Sequence, residues 1–457
     1  MTSSAHSPAA VLSEFMSIDP SGHLCVEAVD VHDLAEEYGT PLYVTSENQI
    51  RHNVRRFKAA FSDRYPHVTV LFANKANSNL AVRRILAQEG AGGDCFGLGE
   101  LTLSLMAGVP PEMLAMNGSN KTVAELTAAI ENGVVINLDH PDELDTVINI
   151  ANQMERTARV NIRILPFSYA DPANLTDEQA AIARDRSHDK WGVDKVTARE
   201  VARTALNASR VSLEGLHCHI SRLRPTAEGF ELAAGLMVDA IADLNRELNW
   251  QPEVLDIGGG YAHSRDPESG LPPGDHEVST PEEYAEAIIT PLRTKLAEYG
   301  LNEPHLHLEP GRHLVSNASV LLGRVGIIKS LPSADVTWVN LDASTNHCLR
   351  TLIAGYRYHI INATRANDPD QMVADIIGPN CTKDLIGAAR SLPQTSTGDL
   401  LAVLDVGGYA EMTANQFNSI PRPATVLVNR SQADVIRRRE TFQDLILTQQ
   451  VPTRLMS

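Results

Sequence analysis

The stretch Val68-Thr-Val-Leu-Phe-Ala-Asn-Lys-Ala-Asn77 decides the fold, because in it a short apolar run stops abruptly at polar residues. The β-branched and aromatic residues of Val68–Ala73 favour a buried strand, which ends at Asn74-Lys75. Apolar residues at helical spacing follow over Leu80–Gln88. A strand, a polar tip and a helix together make one unit of a parallel α/β fold.

The same unit recurs along the middle of the chain, and eight strands favour a closed (β/α)8 barrel over an open doubly wound sheet. The predicted strands are Val68–Ala73, Ala91–Phe96, Met113–Asn117, Val134–Asp139, Val160–Leu165, Leu213–Ile220, Glu253–Ile257 and His305–Glu309. The predicted helices between them are Leu80–Gln88, Glu100–Ala107, Thr122–Glu131, Glu143–Gln153, Glu228–Glu247 and Pro281–Glu298. Chemistry in such barrels lies at the carboxyl ends of the strands, so their polar tips form the candidate site.

The pattern changes after Arg312, where strand-like runs follow one another with few helices between them. We therefore predict a second, mostly β domain over residues 316–457 and a barrel over residues 41–315. Residues 1–40 are expected to pack with the β domain. The long polar insertion at 167–210 is predicted to be a loop region with short helices.

Composition excludes several classes of function. Lys and Arg number 39 against 57 Asp and Glu, a net charge of −18, which argues against nucleic acid and anionic membranes as partners. No apolar run approaches the ~18 residues of a membrane-spanning helix, and the first Lys or Arg is Arg51, so no signal peptide is indicated. The five cysteines are widely spaced and never form a CxxC pair, which favours a reducing, cytoplasmic location.

Two barrel strands end in candidate binding residues, one in a lysine and one in three successive glycines. Lys75 would project into the barrel mouth, where desolvation favours a nucleophilic amine that can form a Schiff base; the alternative is a solvated lysine capping a strand. Asp256-Ile-Gly-Gly-Gly260 follows the seventh predicted strand, where barrels commonly bind phosphate. The glycines leave their backbone N–H groups accessible to an anion, unless they only form a tight turn.

The eighth strand ends in Glu309-Pro-Gly-Arg312. The glutamate could hold a proton on a heterocyclic nitrogen and the arginine could bind a carboxylate, or the pair could be a simple ion-pair turn. His217 and His219 have HxH spacing, and so do His305 and His307. A zinc-dependent barrel hydrolase is therefore an alternative, although we expect one histidine of the first pair to stack on a planar ring.

Two further candidates lie in the predicted β domain. Cys381 sits in the polar stretch Gly378-Pro-Asn-Cys-Thr-Lys-Asp384, next to a lysine that could favour the thiolate, although a cysteine is commonly inert. Tyr409 follows a strand in Asp405-Val-Gly-Gly-Tyr409 and could donate to a phosphate or simply complete a turn.

Taken in order, these motifs resemble the barrel-type pyridoxal-phosphate (PLP) decarboxylases, a family that includes the diaminopimelate, ornithine and arginine decarboxylases. The resemblance spans nearly the whole chain, and its pattern is most similar to diaminopimelate decarboxylase. Its landmarks are Phe72–Asn77, Gly99–Leu101, Lys190–Gly192, Gly215–Ile220, Asp256–Gly260, Glu309–Arg312, Gly378-Pro379 with Cys381, and Gly408-Tyr409.

The resemblance implies a role for each matching residue. Lys75 would bind PLP as a Schiff base, His219 would stack on its ring, and Glu309 would keep the pyridine nitrogen protonated. Cys381 would be the proton donor and would reach the site from the partner subunit of a homodimer. The other implied cofactor contacts are Asp94, Gly258, Gly259, Gly260, Gly311, Arg312 and Tyr409. The implied substrate contacts are Arg312, Arg350, Thr382, Asp384 and Tyr409.

Departures from the family pattern affect the substrate end. The usual Cys-Glu-Ser reads Cys381-Thr382-Lys383, and either Ser221 or Arg222 replaces the usual phosphate-binding serine. We therefore expect a PLP-dependent amino-acid decarboxylase acting on a diaminopimelate-like substrate, a basic D-amino acid or a related diamino acid, with no metal. The alternatives are a PLP-dependent racemase or aldolase of the same fold and a non-catalytic binder like the antizyme inhibitors.

Overall fold

The computed structural model describes residues 11–186, 190–219, 226–263, 278–353 and 355–456. Their strands are β1 (Met16–Ile18), β2 (Leu24–Val26), β3 (Val29–Asp30), β4 (Leu42–Ser46), β5 (Val68–Ala73), β6 (Gly92–Phe96), β7 (Leu114–Asn117), β8 (Val135–Leu138), β9 (Ala158–Arg163), β10 (Val211–His217), β11 (Val254–Asp256), β12 (His305–Leu308), β13 (Ser319–Leu331), β14 (Val336–Leu341), β15 (Ile360–Asn362), β16 (Met372–Ile377), β17 (Leu385–Leu392), β18 (Leu400–Val403), β19 (Ala424–Asn429) and β20 (Gln432–Arg437). The α-helices are α1 (Val31–Tyr38), α2 (Glu47–Ser62), α3 (Leu80–Gln88), α4 (Leu98–Met106), α5 (Val123–Asn132), α6 (Pro141–Met154), α7 (Asp177–Arg186), α8 (Lys195–Asn207), α9 (Glu228–Leu248), α10 (Pro281–Tyr299), α11 (Arg312–Val315), α12 (Arg350–Ile353), α13 (Ala410–Thr413) and α14 (Phe442–Ile446).

The chain divides into two compact units. One consists of the described residues within 51–263 and 278–314, and the other of the described residues within 11–50 and 315–456. The sequence places the corresponding boundaries at 40/41 and 315/316. Strand β4, at Leu42–Ser46, accounts for the difference at the first boundary, because it pairs with β13 and β19 in the second unit.

The first unit is a closed barrel of eight parallel strands in the order β5 to β12, which confirms the predicted fold class.

The helices of this unit begin where the local sequence supplies capping residues. Helices α5 and α10 each begin with a capping box, formed by Thr122 with Glu125 and by Thr280 with Glu283. The insertion after β9 contributes two helices, α7 and α8, of which the second buries an alanine- and valine-rich face.

The second unit contains a nine-stranded sheet in the order β17-β16-β14-β13-β4-β19-β20, with β18 pairing both β13 and β15. Apolar clusters cover both faces of this sheet. Along β13, Val320 and Leu322 join one cluster while Leu321 and Val325 join the other. This alternation follows from the period of two in a strand and makes β13 the centre of the unit.

Among the described residues, no helix combines the length and apolar character needed to cross a bilayer.

Candidate active site

Lys75 and Asp94 form an ion pair at the carboxyl ends of two neighbouring barrel strands. Lys75 lies in a 3-10 turn after β5, and its Nζ is 3.0 Å from Asp94 Oδ2. Asp94 is fully buried, whereas the Lys75 side chain is 36% exposed and also contacts the Phe96 ring at 4.7 Å. The amine is therefore anchored at its tip and remains accessible to a small molecule.

Glu309 follows β12 and is buried among polar groups. Its Oε1 accepts from Asn117 Nδ2 at 2.9 Å and lies 3.4 Å from His217 Nε2. Burial acts to raise the pKa of Glu309, but His217 and Lys75 outweigh it and lower the pKa to about 2. Glu309 is therefore a buried carboxylate that stays negatively charged at neutral pH.

Asp256, at the end of β11, behaves in the opposite way. Burial, and then the charge of Glu309, raise the pKa of Asp256 well above its usual value. Two neighbouring buried carboxyl groups seldom both ionise, so Asp256 carries the proton while Glu309 carries the charge.

The three glycines after β11 approach other backbone segments closely. A Cβ on Gly258 would lie 2.2 Å from the Cys218 carbonyl oxygen, and one on Gly259 would lie 2.3 Å from the Glu309 carbonyl oxygen. Gly258 and Gly260 also have positive φ angles, of 72° and 110°. Only glycine fits this bend, because a Cβ on Gly258 or Gly259 would collide with a backbone carbonyl of a neighbouring segment.

Two of those N–H groups already have acceptors within the protein. Gly258 N donates to Asp256 Oδ1 at 2.8 Å, and Gly259 N donates to His219 Nδ1 at 3.1 Å. Burial, followed by the charge of Lys75, lowers the pKa of His219 well below its usual value. His219 is therefore a neutral ring beside the glycine bend.

The turn after Glu309 also packs tightly in the barrel unit. A Cβ on Gly311 would lie 3.1 Å from the Cβ atoms of Ala73 and Ala76, so Gly311 lets this turn approach the segment that carries Lys75. Arg312 is 7% exposed, and its Nη2 donates to the Gly260 carbonyl at 3.4 Å.

The remaining predicted residues belong to the second unit, where Arg350 and Tyr409 lie together. The Arg350 guanidinium carbon is 4.3 Å from the centroid of the Tyr409 ring and 4.5 Å from that of Tyr356. Stacking between two aromatic rings fixes the plane of the guanidinium, as recognition of a carboxylate requires.

The Cys381 loop is held by a buried polar network. The Asp384 carboxylate is 1% exposed and accepts from Ser344 Oγ, Thr345 N, Thr345 Oγ1 and Asn380 N at 2.6–3.0 Å. Thr382 donates its hydroxyl to Asn380 Oδ1, whereas Cys381 is exposed and its Sγ is 3.3 Å from Asn418 Oδ1. Within this loop, the thiol is accessible and the groups of Thr382 and Asp384 are engaged internally.

The HxH pairs do not converge on one ion. His217 faces Glu309 and Asp256, whereas His219 receives the Gly259 N–H. His305 bonds to Thr69, and burial lowers the pKa of His307 to about 3. Ser221 and Arg222, the predicted replacements for the phosphate-binding serine, lie outside the described residues.

Sequence reasoning missed one set of polar residues, Asn117, Asn137 and Asn161, which point into the barrel from three consecutive strands and are at most 1% exposed. An asparagine within each of three otherwise apolar runs was the available signal. Asn117 contacts both Asp94 and Glu309, at 2.7 and 2.9 Å.

The barrel residues fit pyridoxal phosphate. An accessible amine, an ionised buried carboxylate and a glycine bend after a barrel strand match its aldehyde, its pyridine nitrogen and its phosphate. Lys75, Glu309 and the segment Gly258–Gly260 would hold these three groups.

Comparisons with known proteins agree with this assignment. Residues 47–316 match the family model of the pyridoxal-binding domain of pyridoxal-dependent decarboxylases. The chain is 37% identical to a diaminopimelate decarboxylase of Methanothermobacter thermautotrophicus, covering 96% of this chain and 99% of the relative, and 33% identical to one of Archaeoglobus fulgidus, covering 95% and 99%. A solved diaminopimelate decarboxylase from Methanocaldococcus jannaschii, in complex with L-lysine, superposes with a TM-score of 0.89 at 32% identity over 97% of this chain and 99% of that one.

These matches confirm the family expected from the motifs, and with it the decarboxylase activity and the PLP cofactor. They favour decarboxylation over the racemase, aldolase, binder and zinc-hydrolase alternatives. The chain belongs to the family of pyridoxal-dependent amino-acid decarboxylases.

Proposed function

We propose that this decarboxylase acts on diaminopimelate and releases one of its two α-carboxylates as CO₂. The observation that carries the proposal is the similarity to diaminopimelate decarboxylases over nearly the full length of both chains. Removing one carboxylate from diaminopimelate leaves lysine, which is the ligand of the solved M. jannaschii relative.

In the proposed reaction Lys75 supplies the amine that holds the cofactor covalently, and Asp94 holds that amine at the barrel mouth. When bound, PLP supplies a conjugated ring that takes up the electron pair left behind as CO₂ departs. The charged Glu309 would keep a proton on the ring nitrogen, which strengthens this electron sink. The neutral ring of His219 would cover one face.

The proton that replaces CO₂ is assigned to Cys381. Its thiol is exposed in the second unit and carries a transferable hydrogen. We further propose that the enzyme is a homodimer in which Cys381 of one chain completes the site of the other. Mixing Lys75→Ala and Cys381→Ala proteins should then restore part of the activity, whereas no restoration after verified subunit exchange would contradict a shared site.

Arg350 is the residue best prepared to bind the distal carboxylate of the substrate, because two aromatic rings fix its plane. Thr382-Lys383 stands where the family pattern has Glu-Ser, so a carboxylate that would meet a distal ammonium is missing. Because the distal end departs from the diaminopimelate decarboxylase pattern in this way, a related amino acid such as a basic D-amino acid is the second candidate. The five cysteines are all free, which supports action in the reducing cytoplasm.

A CO₂-release assay separates the two candidates. Meso-diaminopimelate should be decarboxylated faster than D-lysine, D-ornithine, D-arginine or L-lysine. Release from D-arginine or D-ornithine but not from meso-diaminopimelate would overturn the first proposal in favour of the second. The Lys75→Ala variant is the control and should release no CO₂ from any of them.

A further inference from the structure

The three buried asparagines form a hydrogen-bonded ladder inside the barrel. Asn137 and Asn161 lie directly opposite each other on β8 and β9, and Asn117 follows the last pair between β7 and β8. Asn161 Nδ2 donates to Asn137 Oδ1 at 2.9 Å, and Asn137 Nδ2 donates to Asn117 Oδ1 at 3.1 Å. Each amide therefore orients the next.

The ladder ends on two carboxylates. Asn117 Nδ2 donates one hydrogen to Asp94 Oδ1 at 2.7 Å and the other to Glu309 Oε1 at 2.9 Å. The other oxygen of Asp94 faces Lys75 Nζ. Rotating the Asn117 amide by 180° would place its oxygen against both carboxylates, and the donor from Asn137 opposes that rotation.

Asp94 and Glu309 repel each other in an environment with little water. Burial, and then the charge of Glu309, raise the pKa of Asp94. Without a shared donor, such a pair takes up a proton on one member. Either outcome would disturb the proposed site, because a protonated Asp94 loses its hold on Lys75 and a protonated Glu309 no longer stabilises a charged pyridine ring.

We propose that Asn117 is a positioning residue whose single amide nitrogen lets Asp94 and Glu309 remain ionised side by side, each directed at its own partner. Asn137 and Asn161 support it by fixing the orientation of that amide. The inference rests on the proposed roles of Lys75 and Glu309, and it assigns a function to a residue that touches neither CO₂ nor the reacting amine.

The test compares Asn117→Leu, which keeps the volume but removes both donors, with Asn53→Leu as the control. Asn53 is also a buried asparagine of the barrel unit, but its amide donates to the backbone carbonyl of Leu314. Thermal unfolding of the cofactor-free, full-length proteins is measured from pH 5.5 to 8.5. Leucine cannot titrate, so a difference in pH dependence between Asn117→Leu and wild type reports on the groups around the two carboxylates.

The expected sign follows from linkage. In Asn117→Leu the folded protein binds a proton that the unfolded carboxylates release, so stability present at low pH is lost as the pH rises. The Tm deficit relative to wild type should be about 3–5 °C larger at pH 8 than at pH 5.5, which is the effect of raising a pKa by roughly 1 in a folding unit of this size. The deficit of Asn53→Leu should be the same at every pH. The other titratable groups that interact with the two carboxylates are the same in both variants. They are Lys75, Cys95, Glu100, His217, Cys218, His219, Asp256, Tyr261 and His307.

A second measurement is the Kd for pyridoxal phosphate, which should rise at least about tenfold in Asn117→Leu at pH 8, because hydrogen bonds to two charged groups are lost. If Asn117→Leu does not fold, Asn137→Leu replaces it and should show the same pH-dependent loss at a smaller size. Equal Tm deficits across the pH range together with an unchanged Kd would overturn the proposal. The thermal data test whether Asn117 keeps Asp94 and Glu309 ionised even if none of the amino acids tested releases CO₂. A failure to release CO₂ would count against the proposed function alone.

Discussion

Replacing Gly259 by alanine tests the glycine bend through a single steric contact. Gly259 has no positive φ angle, so an added methyl group introduces no backbone strain of its own. The new Cβ would lie 2.3 Å from the Glu309 carbonyl oxygen, whereas real Cβ contacts essentially never fall below 3.0 Å. The two backbone segments must therefore separate by at least about 0.7 Å.

The cost of that separation can be estimated. Overpacking of a well-packed interior costs about 1–3 kcal/mol, which corresponds to a Tm decrease of roughly 2–12 °C for a unit of this size. The displacement also moves the segment Gly258–Gly260, which we assign to the phosphate, and losing one charge-assisted hydrogen bond from this segment costs about 1.5–3 kcal/mol. The Kd for pyridoxal phosphate should therefore rise about 10- to 150-fold.

Thermal unfolding of the cofactor-free protein gives the first quantity, and equilibrium dialysis against pyridoxal phosphate gives the second. Gly229→Ala is the matched control, because a Cβ at this position in helix α9 meets nothing within 4 Å. It should leave the Kd unchanged and the Tm equal or slightly higher. A Gly259→Ala protein with the Tm of wild type and a Kd within about threefold of it would refute the steric reasoning.

Three other changes test separate features. Cys381→Ala should leave the Kd for pyridoxal phosphate unchanged. It should slow CO₂ release about 10²- to 10⁴-fold, which is the usual contribution of a general acid. An unchanged rate would show that Cys381 is not the proton donor. Asp384→Ala should lower the free energy of unfolding, because the buried carboxylate of Asp384 accepts four hydrogen bonds. Urea unfolding of the variant and the wild type measures this difference. Glu100→Gln should raise the Tm at pH 8 but not at pH 5: burial raises the pKa of Glu100 to about 7, so the wild type loses stability as the pH rises from its unfolded pKa through 7. A Tm gain of equal size at both pH values would show that the carboxyl group of Glu100 does not titrate in this way.

The barrel could be predicted from the sequence because each of its strands is a short apolar run ending in a polar residue. Predicted and observed bounds coincide for β5 and α3, and they differ by a few residues elsewhere. The sheet of the second unit was predicted less completely. Strand β17 was not predicted. Its sequence, Leu385–Leu392, combines small residues with Arg390 and lies at a partly exposed edge of the sheet.

The pairing of β4 with β13 could not be predicted, since Leu42–Ser46 and Ser319–Leu331 are far apart in sequence and nothing local encodes their register.

In the candidate site, too, some residues carry a local sequence signal and others depend on contacts with distant segments. Lys75, Glu309 and the glycine bend carry local signals, namely a polar tip on an apolar run and residues that tolerate close backbone approach. Asn117 also ends an apolar run, but its role cannot be read from that signal, because its importance comes from two carboxylates contributed by other strands. The internal role of Asp384 likewise depends on Ser344 and Thr345, about 40 residues earlier in the chain.

The position of β4 in the nine-stranded sheet has a consequence for synthesis on the ribosome. All eight barrel strands have been translated by Leu308. Strand β4 cannot pair with β19 until much later, because β19 begins at Ala424, 378 residues after Ser46. At translation rates of roughly 5–20 residues per second, this delay lasts about 20–75 s. For most of this interval neither of the strands that pair with Leu42–Ser46, β13 and β19, has been translated. The nascent chain therefore carries an unpaired strand edge that chaperones can bind.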